Sequence, residues 1–338
     1  MKVVWPRTLE RVNESRSTQR PRSPQRRKPG DSQRALRALR SHVGFFTGSL
    51  VLHVALPLLA LLAVQLDAAP ARNFLWKATG KGGGVVYLVG SVHVLSKDFY
   101  PLNPAIETAY KDSDLLAEEV DMGEMLDPGA QMQMLTRGML PSSTPLDKVV
   151  SAATYAMLEK RVVATGLPIE PFKLMKPWMV ALMIEAAEWQ KAGLDPELGL
   201  DKHFYDRAKG DGKTVQGLET VAYQISRFDE IPMDQQEHLL AETLKDIDTE
   251  QANMTKLMDA WRAGDVATVE RIVLSDLKQE PQLYQRLLVE RNKNWMPKIE
   301  ALSTRRGHAF VVVGAAHLVG PDGLIAMLKA KGYTVEQM

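Results

Sequence analysis

The sequence contains no cysteine. This absence excludes disulfide bonds, iron–sulfur clusters, thiolate zinc sites and a catalytic thiol. Any metal ion would have to be bound by histidine or by oxygen ligands. Net charge is also nearly absent, since 42 Lys and Arg face 41 Asp and Glu over 338 residues. The apolar fraction of 45% is that of a globular protein and excludes a wholly disordered chain or a fibre.

The charges are unevenly distributed along the chain. Residues 1–43 hold 12 basic residues and three acidic ones, a net charge of +9, and the rest of the chain carries −8. A basic arm before an acidic body occurs in some nucleic-acid-binding proteins. The arm is rich in Arg, Ser, Pro and Gln, which predicts disorder rather than a packed domain.

An uncharged and largely aliphatic stretch from Gly44 to Leu66 follows this arm. Ala69 and Ala71 then fit the small-x-small pattern that a signal peptidase cleaves. The order predicts an export signal over residues 44–71, with the acidic body in the periplasm or secreted. Because about 20 apolar residues span a bilayer, the alternative is an uncleaved inner-membrane anchor over residues 44–66.

The predicted organisation is therefore a basic arm (1–43), a signal or anchor (44–71) and a folded body (72–338). The arm is longer than a typical leader. A start codon assigned too far upstream would account for this extra length. Cleavage after Ala71 leaves a body of net charge −7. We therefore expect no nucleic-acid partner, and membrane contact only through the N-terminal segment.

The body has the pattern of a mixed α/β fold. A glycine-rich turn between the apolar runs 73–77 and 85–89 predicts a β-hairpin. Buried strands are predicted at 115–120 and 309–313, and a large helical insertion lies between them at 146–306. Further predictions are a short strand from Thr214, a closing helix and strand, and a flexible, Met-rich flap at 122–139.

Two copies of one short motif stand out. A buried strand runs into Gly90-Ser91-Val92-His93, and another runs into Gly314-Ala315-Ala316-His317. Glycine allows a tight turn at the end of each strand. The carboxyl ends of such strands meet at one edge of a sheet, where ligands bind in α/β folds. The pair predicts a shared catalytic or metal site with both imidazoles.

The ordered set of motifs in the body resembles the TraB/GumN family. The resemblance rests on the segment 86–121, on Leu218-Glu219-Thr220, on Arg291-Asn292 with Trp295, and on the closing Gly-x-x-His. The family is similar to the Tiki metalloproteases and, more distantly, to erythromycin-esterase-like hydrolases. It implies a mixed α/β fold of two pseudo-repeated strand–Gly-x-x-His–helix halves, with a polar site where Gly90 and Gly314 bring the motifs together.

The resemblance also implies roles for single residues. His93, His317 and Glu119 would hold a divalent ion of the Mn, Co or Zn type, which would activate water for hydrolysis of a peptide or protein substrate. Glu119 or Glu219 would be the general base, and Arg291 would stabilise an oxyanion or bind a substrate carboxylate. A plain ion pair or helix cap for Glu219, and a buried salt bridge for Arg291, are the structural alternatives.

Three functions remain open at this point. The first is an exported, metal-dependent peptide hydrolase. The second is a metal-free hydrolase in which His93 is the general base and Glu119 orients it. The third is a non-catalytic exported protein that binds a peptide or a surface polysaccharide. Because side chains alternate along a strand, we expect only one of Glu118 and Glu119 to face the site, and we choose Glu119.

Overall fold

The computed structural model describes residues 72–338. The predicted basic arm and the predicted signal or anchor therefore lie outside the described residues. Within the part of the chain that is described, no helix combines the length and the apolar character needed to cross a membrane.

A six-stranded mixed sheet forms the centre of the described body. In the order β4-β3-β5-β2-β1-β6, the four strands β4, β3, β5 and β2 run parallel, and β1 is antiparallel to both of its neighbours. The strands are β1 (Leu75–Thr79), β2 (Val85–Ser91), β3 (Leu115–Val120), β4 (Thr214–Glu219), β5 (Ala309–Gly314) and β6 (Thr334–Gln337). The predicted mixed α/β fold and its opening hairpin are confirmed.

The register of β2 and β5 positions the two Gly-x-x-His motifs side by side. Gly90 is paired with Val313 and Ser91 with Gly314, so both motifs leave the sheet at the same edge. All residues of β5 are buried, as expected for a parallel strand with both faces covered. Phe310 of this strand packs against Tyr110 and Phe204.

Helices cover the sheet and form the predicted insertion. In chain order they are α1 (Pro104–Lys111), α2 (Met122–Met125), α3 (Pro128–Gly138), α4 (Ala152–Thr165), α5 (Pro177–Lys191), α6 (Leu200–Gly210), α7 (Val221–Asp229), α8 (Met233–Arg262), α9 (Val266–Gln279), α10 (Pro281–Tyr284), α11 (Glu290–Thr304), α12 (Ala315–Leu318) and α13 (Leu324–Ala330). A turn of π-helix, Gln285–Val289, joins α10 to α11.

Helix α8 links two hydrophobic cores. Its first half packs Leu240 and Leu244 into a core formed with α4 and α5. Its second half packs Met258 and Trp261 against the sheet. Trp261 Nε1 also donates a hydrogen bond of 2.6 Å to the carbonyl oxygen of Gly90, so this helix supports the first motif directly.

The stretch at 122–139, for which the sequence predicts a flap, is helical and forms α2 and α3. Asp121 caps α2 through the backbone N–H of Gly123, and Asp127 caps α3 in the same way. Pro128 stands at the first turn of α3, a position that suits its fixed φ. These local capping signals outweigh the weak apolar periodicity on which the expectation of a flap rested.

Candidate active site

Three of the residues singled out from the sequence meet around Gly314, at the end of β5. A β-carbon placed on this glycine would lie 3.1 Å from Glu119 Oε1, 3.4 Å from His93 Nε2 and 3.6 Å from His317 Cδ2. A side chain at this position would therefore crowd Glu119 and contact both imidazoles. The motif glycine keeps open the small space that they share.

Glu119 is held in a fixed orientation from three sides. Its Oε1 accepts a 2.7 Å hydrogen bond from the backbone N–H of Gly314. Its Oε2 accepts from Arg291 Nη2 at 2.5 Å and from Gln224 Nε2 at 3.3 Å. Burial alone would raise the pKa of this carboxyl, but the Arg291 charge and these contacts lower it well below its usual range. Glu119 is therefore an ionised carboxylate.

Arg291 lies at the centre of a buried ion network. Its Nε and Nη2 donate to Glu219, with a shortest distance of 2.7 Å to Oε1. Its Nη1 donates to the carbonyl oxygen of Leu287 in the π-helical turn and to His317. Trp295 Nε1 donates to the remaining oxygen of Glu219 at 2.8 Å. Both structural alternatives, an ion pair for Glu219 and a buried salt bridge for Arg291, describe these contacts.

His317 is buried and neutral. A guanidinium can only donate, so His317 Nε2 accepts from Arg291 Nη1 at 3.1 Å. The proton is therefore on Nδ1, which donates to Asn292 Oδ1 at 2.7 Å. Burial lowers the pKa of His317 to about 3. Asn292 also donates to the backbone oxygen of His317, which fixes the ring further.

His93 is the exposed member of the pair, with 58% of its side chain accessible. Its Nδ1 lies 2.8 Å from Asp201 Oδ2, and the hydroxyl of Ser91 donates to the same oxygen. The charge of Asp201 raises the pKa of His93 to about 9. Because a carboxylate only accepts, the proton shared with Asp201 belongs to Nδ1, and Nε2 faces Glu119 and Gly314.

Asp201 is the site residue that the sequence did not reveal. It stands in the first turn of α6, and its partner His93 is 108 positions away in the chain. A β-carbon at Gly199 would lie 2.2 Å from the backbone oxygen of His93, so this glycine lets α6 begin against the first motif. A glycine before an acidic helix start was the available signal, and it is too common to single out Asp201.

Comparison with known proteins assigns the chain to a family. The family model described as TraB/PrgY/gumN matches residues 74–337. The chain belongs to the TraB/PrgY/gumN family. It is 28% identical over 265 residues to the uncharacterized protein YbaP of Escherichia coli strain K12, a match that covers 78% of this chain and 96% of YbaP. The uncharacterized protein YbaP of Shigella flexneri matches with the same identity and coverage. No solved structure is significantly similar to the chain.

Glu118 adds a second carboxyl group beside Glu119 in this TraB/PrgY/gumN-family protein. The residue is 2% exposed, and neither carboxyl oxygen has a hydrogen-bond partner among the described residues. Burial, aided by the charge of Asp201, raises its pKa to about 9. Glu118 and Glu119 both line a cavity of about 370 Å³ beyond the end of β3, together with His93 and Asp201. Both carboxyl groups thus border this cavity, and Glu119 also contacts Gly314.

The proposed metal ligands do not form a ligand set in their described arrangement. The lone pair of His317 Nε2 is directed at the Arg291 guanidinium, which already neutralises Glu119. In residues 72–338 no three His, Asp or Glu side chains are grouped so that they could hold a metal ion. The donor chemistry therefore does not fit an ion bound by His93, His317 and Glu119 together.

Proposed function

We propose that this TraB/PrgY/gumN-family protein is a hydrolase of peptide bonds in which His93 and Asp201 transfer the proton. The observation that carries the proposal is the 2.8 Å contact between His93 Nδ1 and Asp201 Oδ2. In the neutral imidazole, a carboxylate on Nδ1 fixes the tautomer whose Nε2 lone pair can accept a proton. That lone pair is on the accessible side of the imidazole, beside the space above Gly314.

The proposed reaction begins with water held between His93 Nε2 and the substrate carbonyl. As the water oxygen bonds to the carbonyl carbon, its proton passes to Nε2. Asp201 on one side and Glu119 on the other stabilise the imidazolium that forms. The carbon–nitrogen bond then breaks, and Nε2 returns the proton to the leaving amine. The products are one carboxylic acid and one amine.

The ion network around Arg291 has a supporting role in this proposal. The bonds from Arg291 to Glu119, Glu219 and His317 hold Glu119 ionised beside Gly314. Arg291, Glu219 and His317 are thus positioning residues that act through Glu119 and Gly314. The resemblance to the Tiki metalloproteases favours a peptide over another acyl substrate. The same resemblance also predicts a divalent ion. That prediction is independent of the mechanism proposed here and is tested separately.

A cleavage assay with the purified full-length chain tests this function. An unfolded protein digest is the substrate, and mass spectrometry identifies new termini. We expect His93→Ala to lower kcat/KM by at least about 100-fold, which is the lower range for loss of a general base. His238→Ala, at a half-exposed histidine on α8, is the matched control. Equal cleavage by both variants and the wild type would overturn the proposal.

The metal prediction is tested in the same assay. One sample is treated with EDTA, and Mn²⁺, Co²⁺ or Zn²⁺ is then restored to it. If His93 and Asp201 work without a metal, chelation leaves kcat/KM unchanged. If activity is lost with EDTA and returns with one ion, a metal-dependent mechanism replaces the one proposed here.

We also propose that the protein is exported, on the support of the sequence alone. The basic arm, the apolar stretch 44–66 and the small residues up to Ala71 support this assignment. Alkaline phosphatase fused after Met338 becomes active only outside the cytoplasm. N-terminal sequencing of the recovered protein separates a cleaved signal from an uncleaved anchor. Inactive phosphatase in an otherwise stable fusion would contradict export.

A further inference from the structure

A second cleft borders the site in addition to the Glu118 cavity. It has a volume of about 250 Å³ and shares His93 and Glu119 with that cavity. Its base is formed by the polar groups at Gly314. Its walls are apolar and come from three helices of the insertion, with the side chains of Trp189, Met254, Leu257 and Val273.

The second Gly-x-x-His motif completes this apolar surface. Ala315 and Ala316 line the cleft, at the positions that Ser91 and Val92 occupy in the first motif. The hydroxyl of Ser91 is needed there, because it donates to Asp201. Ala315 and Ala316 carry no hydroxyl, so the second motif adds only methyl groups to the wall of the cleft. The difference between the two motifs thus has a physical reason.

The size of the cleft limits what it can hold. Pockets for whole small molecules measure about 300–1,000 Å³, so a cleft of this volume suits one side chain rather than an entire ligand. Met254 and Trp189 offer an adaptable thioether and a broad aromatic face. Met254 and Leu257 are three positions apart on α8 and so lie on one face of that helix.

We propose that this cleft binds a large apolar side chain of the substrate, next to the bond that is cleaved. The inference rests on the hydrolase function proposed above and names its substrate class. A Leu, Met or Phe side chain buried there places the adjoining carbonyl beside His93 Nε2. The helical insertion therefore determines which peptides are cleaved, and the sheet edge carries the chemistry.

A peptide series with one varied residue tests the inference. The peptides have the form Ala-Ala-X-Ala-Ala with fluorophore and quencher at the ends, where X is Leu, Phe, Ala, Asp or Lys. We expect kcat/KM for Leu or Phe to exceed that for Asp or Lys by about 10- to 200-fold, the range for discrimination in an apolar pocket. Ala316→Leu fills the cleft. In this variant, kcat/KM for the peptide with X = Leu should be close to kcat/KM for the peptide with X = Ala.

Two further variants keep the test decisive. Ala186→Leu makes the same change at an exposed position of α5 that does not line the cleft, and it should keep the wild-type ratio. Leu257→Ala widens the cleft and should shift the preference from Leu toward Phe. Thermal unfolding of each variant shows whether it is folded. A folded Ala316→Leu protein with the wild-type ratio would overturn the inference.

Binding measurements separate this inference from the hydrolase function. Calorimetric titration of the His93→Ala variant with the same peptides does not require turnover. Tighter binding of the Leu or Phe peptide, without cleavage by the wild type, would support the cleft and overturn the hydrolase. Cleavage of all peptides at similar rates would support the hydrolase and overturn the cleft. Neither cleavage nor selective binding would overturn both.

Discussion

The Nε2 atom of His317 accepts a hydrogen bond from the guanidinium of Arg291, with 3.1 Å between Nε2 and Nη1. The corresponding atom of His93 is directed at the space above Gly314. Two motifs with the same spacing thus have different environments. The second histidine is buried and neutral and helps to hold Arg291, whereas the first is accessible and paired with Asp201.

Loss of Arg291 should destabilise the fold strongly. Arg291→Met leaves Glu119 and Glu219 buried beside each other without a cation, and breaking such a pair costs about 3–5 kcal/mol of unfolding free energy. Denaturant unfolding measures the change. Arg306→Met, at an exposed position, should stay within about 0.5 kcal/mol of the wild type. Similar losses for both variants would contradict the network described here.

Glu118 should make stability depend on pH. Its pKa rises from 4.5 to about 9 on folding, so the folded protein retains a proton that the unfolded chain releases. The contribution of Glu118 to the unfolding free energy is therefore complete below pH 4.5 and is lost as the pH rises toward 9. Glu118→Gln keeps a neutral group of the same shape and removes this loss. We expect Glu118→Gln to stabilise the protein at pH 8 by at least about 1 kcal/mol more than at pH 5.

Denaturant unfolding at the two pH values checks this expectation. Glu124→Gln, at an exposed glutamate of α2, makes the same substitution outside the cavity and should show no such difference. If Glu118→Gln changes the unfolding free energy by the same amount at both pH values, Glu118 is ionised in the folded protein.

The rate of peptide hydrolysis should rise with pH. His93 must be neutral to accept a proton, and the charge of Asp201 raises its pKa to about 9. The kcat/KM should therefore increase up to about pH 9 and then level off. Asp201→Asn removes the largest cause of the raised pKa, so its profile should level off at lower pH and at a lower maximum. A profile that falls from pH 7 to pH 9 would assign His93 the role of an acid.

A single methyl group at Gly314 should separate activity from stability. The backbone of Gly314 has φ −49°, which alanine adopts without strain. The added carbon would nevertheless lie 3.1–3.6 Å from Glu119, His93 and His317. We expect Gly314→Ala to lower kcat/KM at least about tenfold, because a small misplacement of reacting groups is costly. Its unfolding free energy should change by less than about 1.5 kcal/mol.

Two other glycines serve as controls for this substitution. Gly82→Ala adds a methyl group with no atom within 4 Å, so both activity and stability should stay at the wild-type level. Gly90→Ala would place a carbon 2.3 Å from the ring of Phe74, so it should destabilise the protein. Full activity of Gly314→Ala would show that the space above this glycine is not used.

Local patterns in the sequence were sufficient for most of the secondary structure. The apolar runs and turn glycines predicted β2 and β5, because alternation and burial act over a few residues. The Asp121 and Asp127 caps were readable in the same way, yet the Met-rich composition of 122–139 obscured them. Strand alternation favours Glu119 over Glu118, and it is Glu119 that accepts the hydrogen bond from Gly314, whereas Glu118 lines the neighbouring cavity.

The sequence by itself determined the acidic body, the absence of cysteine ligands and the two strand–Gly-x-x-His units with Glu119 between them. Only the tertiary structure decided that Asp201 pairs with His93, that Arg291 hydrogen-bonds to His317, and that an apolar cleft adjoins them. These partners are 108 and 26 positions apart, and the helices that carry them are placed by packing against the sheet. Periodicity reports which face of a helix is buried, but not which distant helix end will meet a given strand. The chemistry of this site is therefore set by helix docking, and the sheet edge on which it lies is set by the sequence motifs.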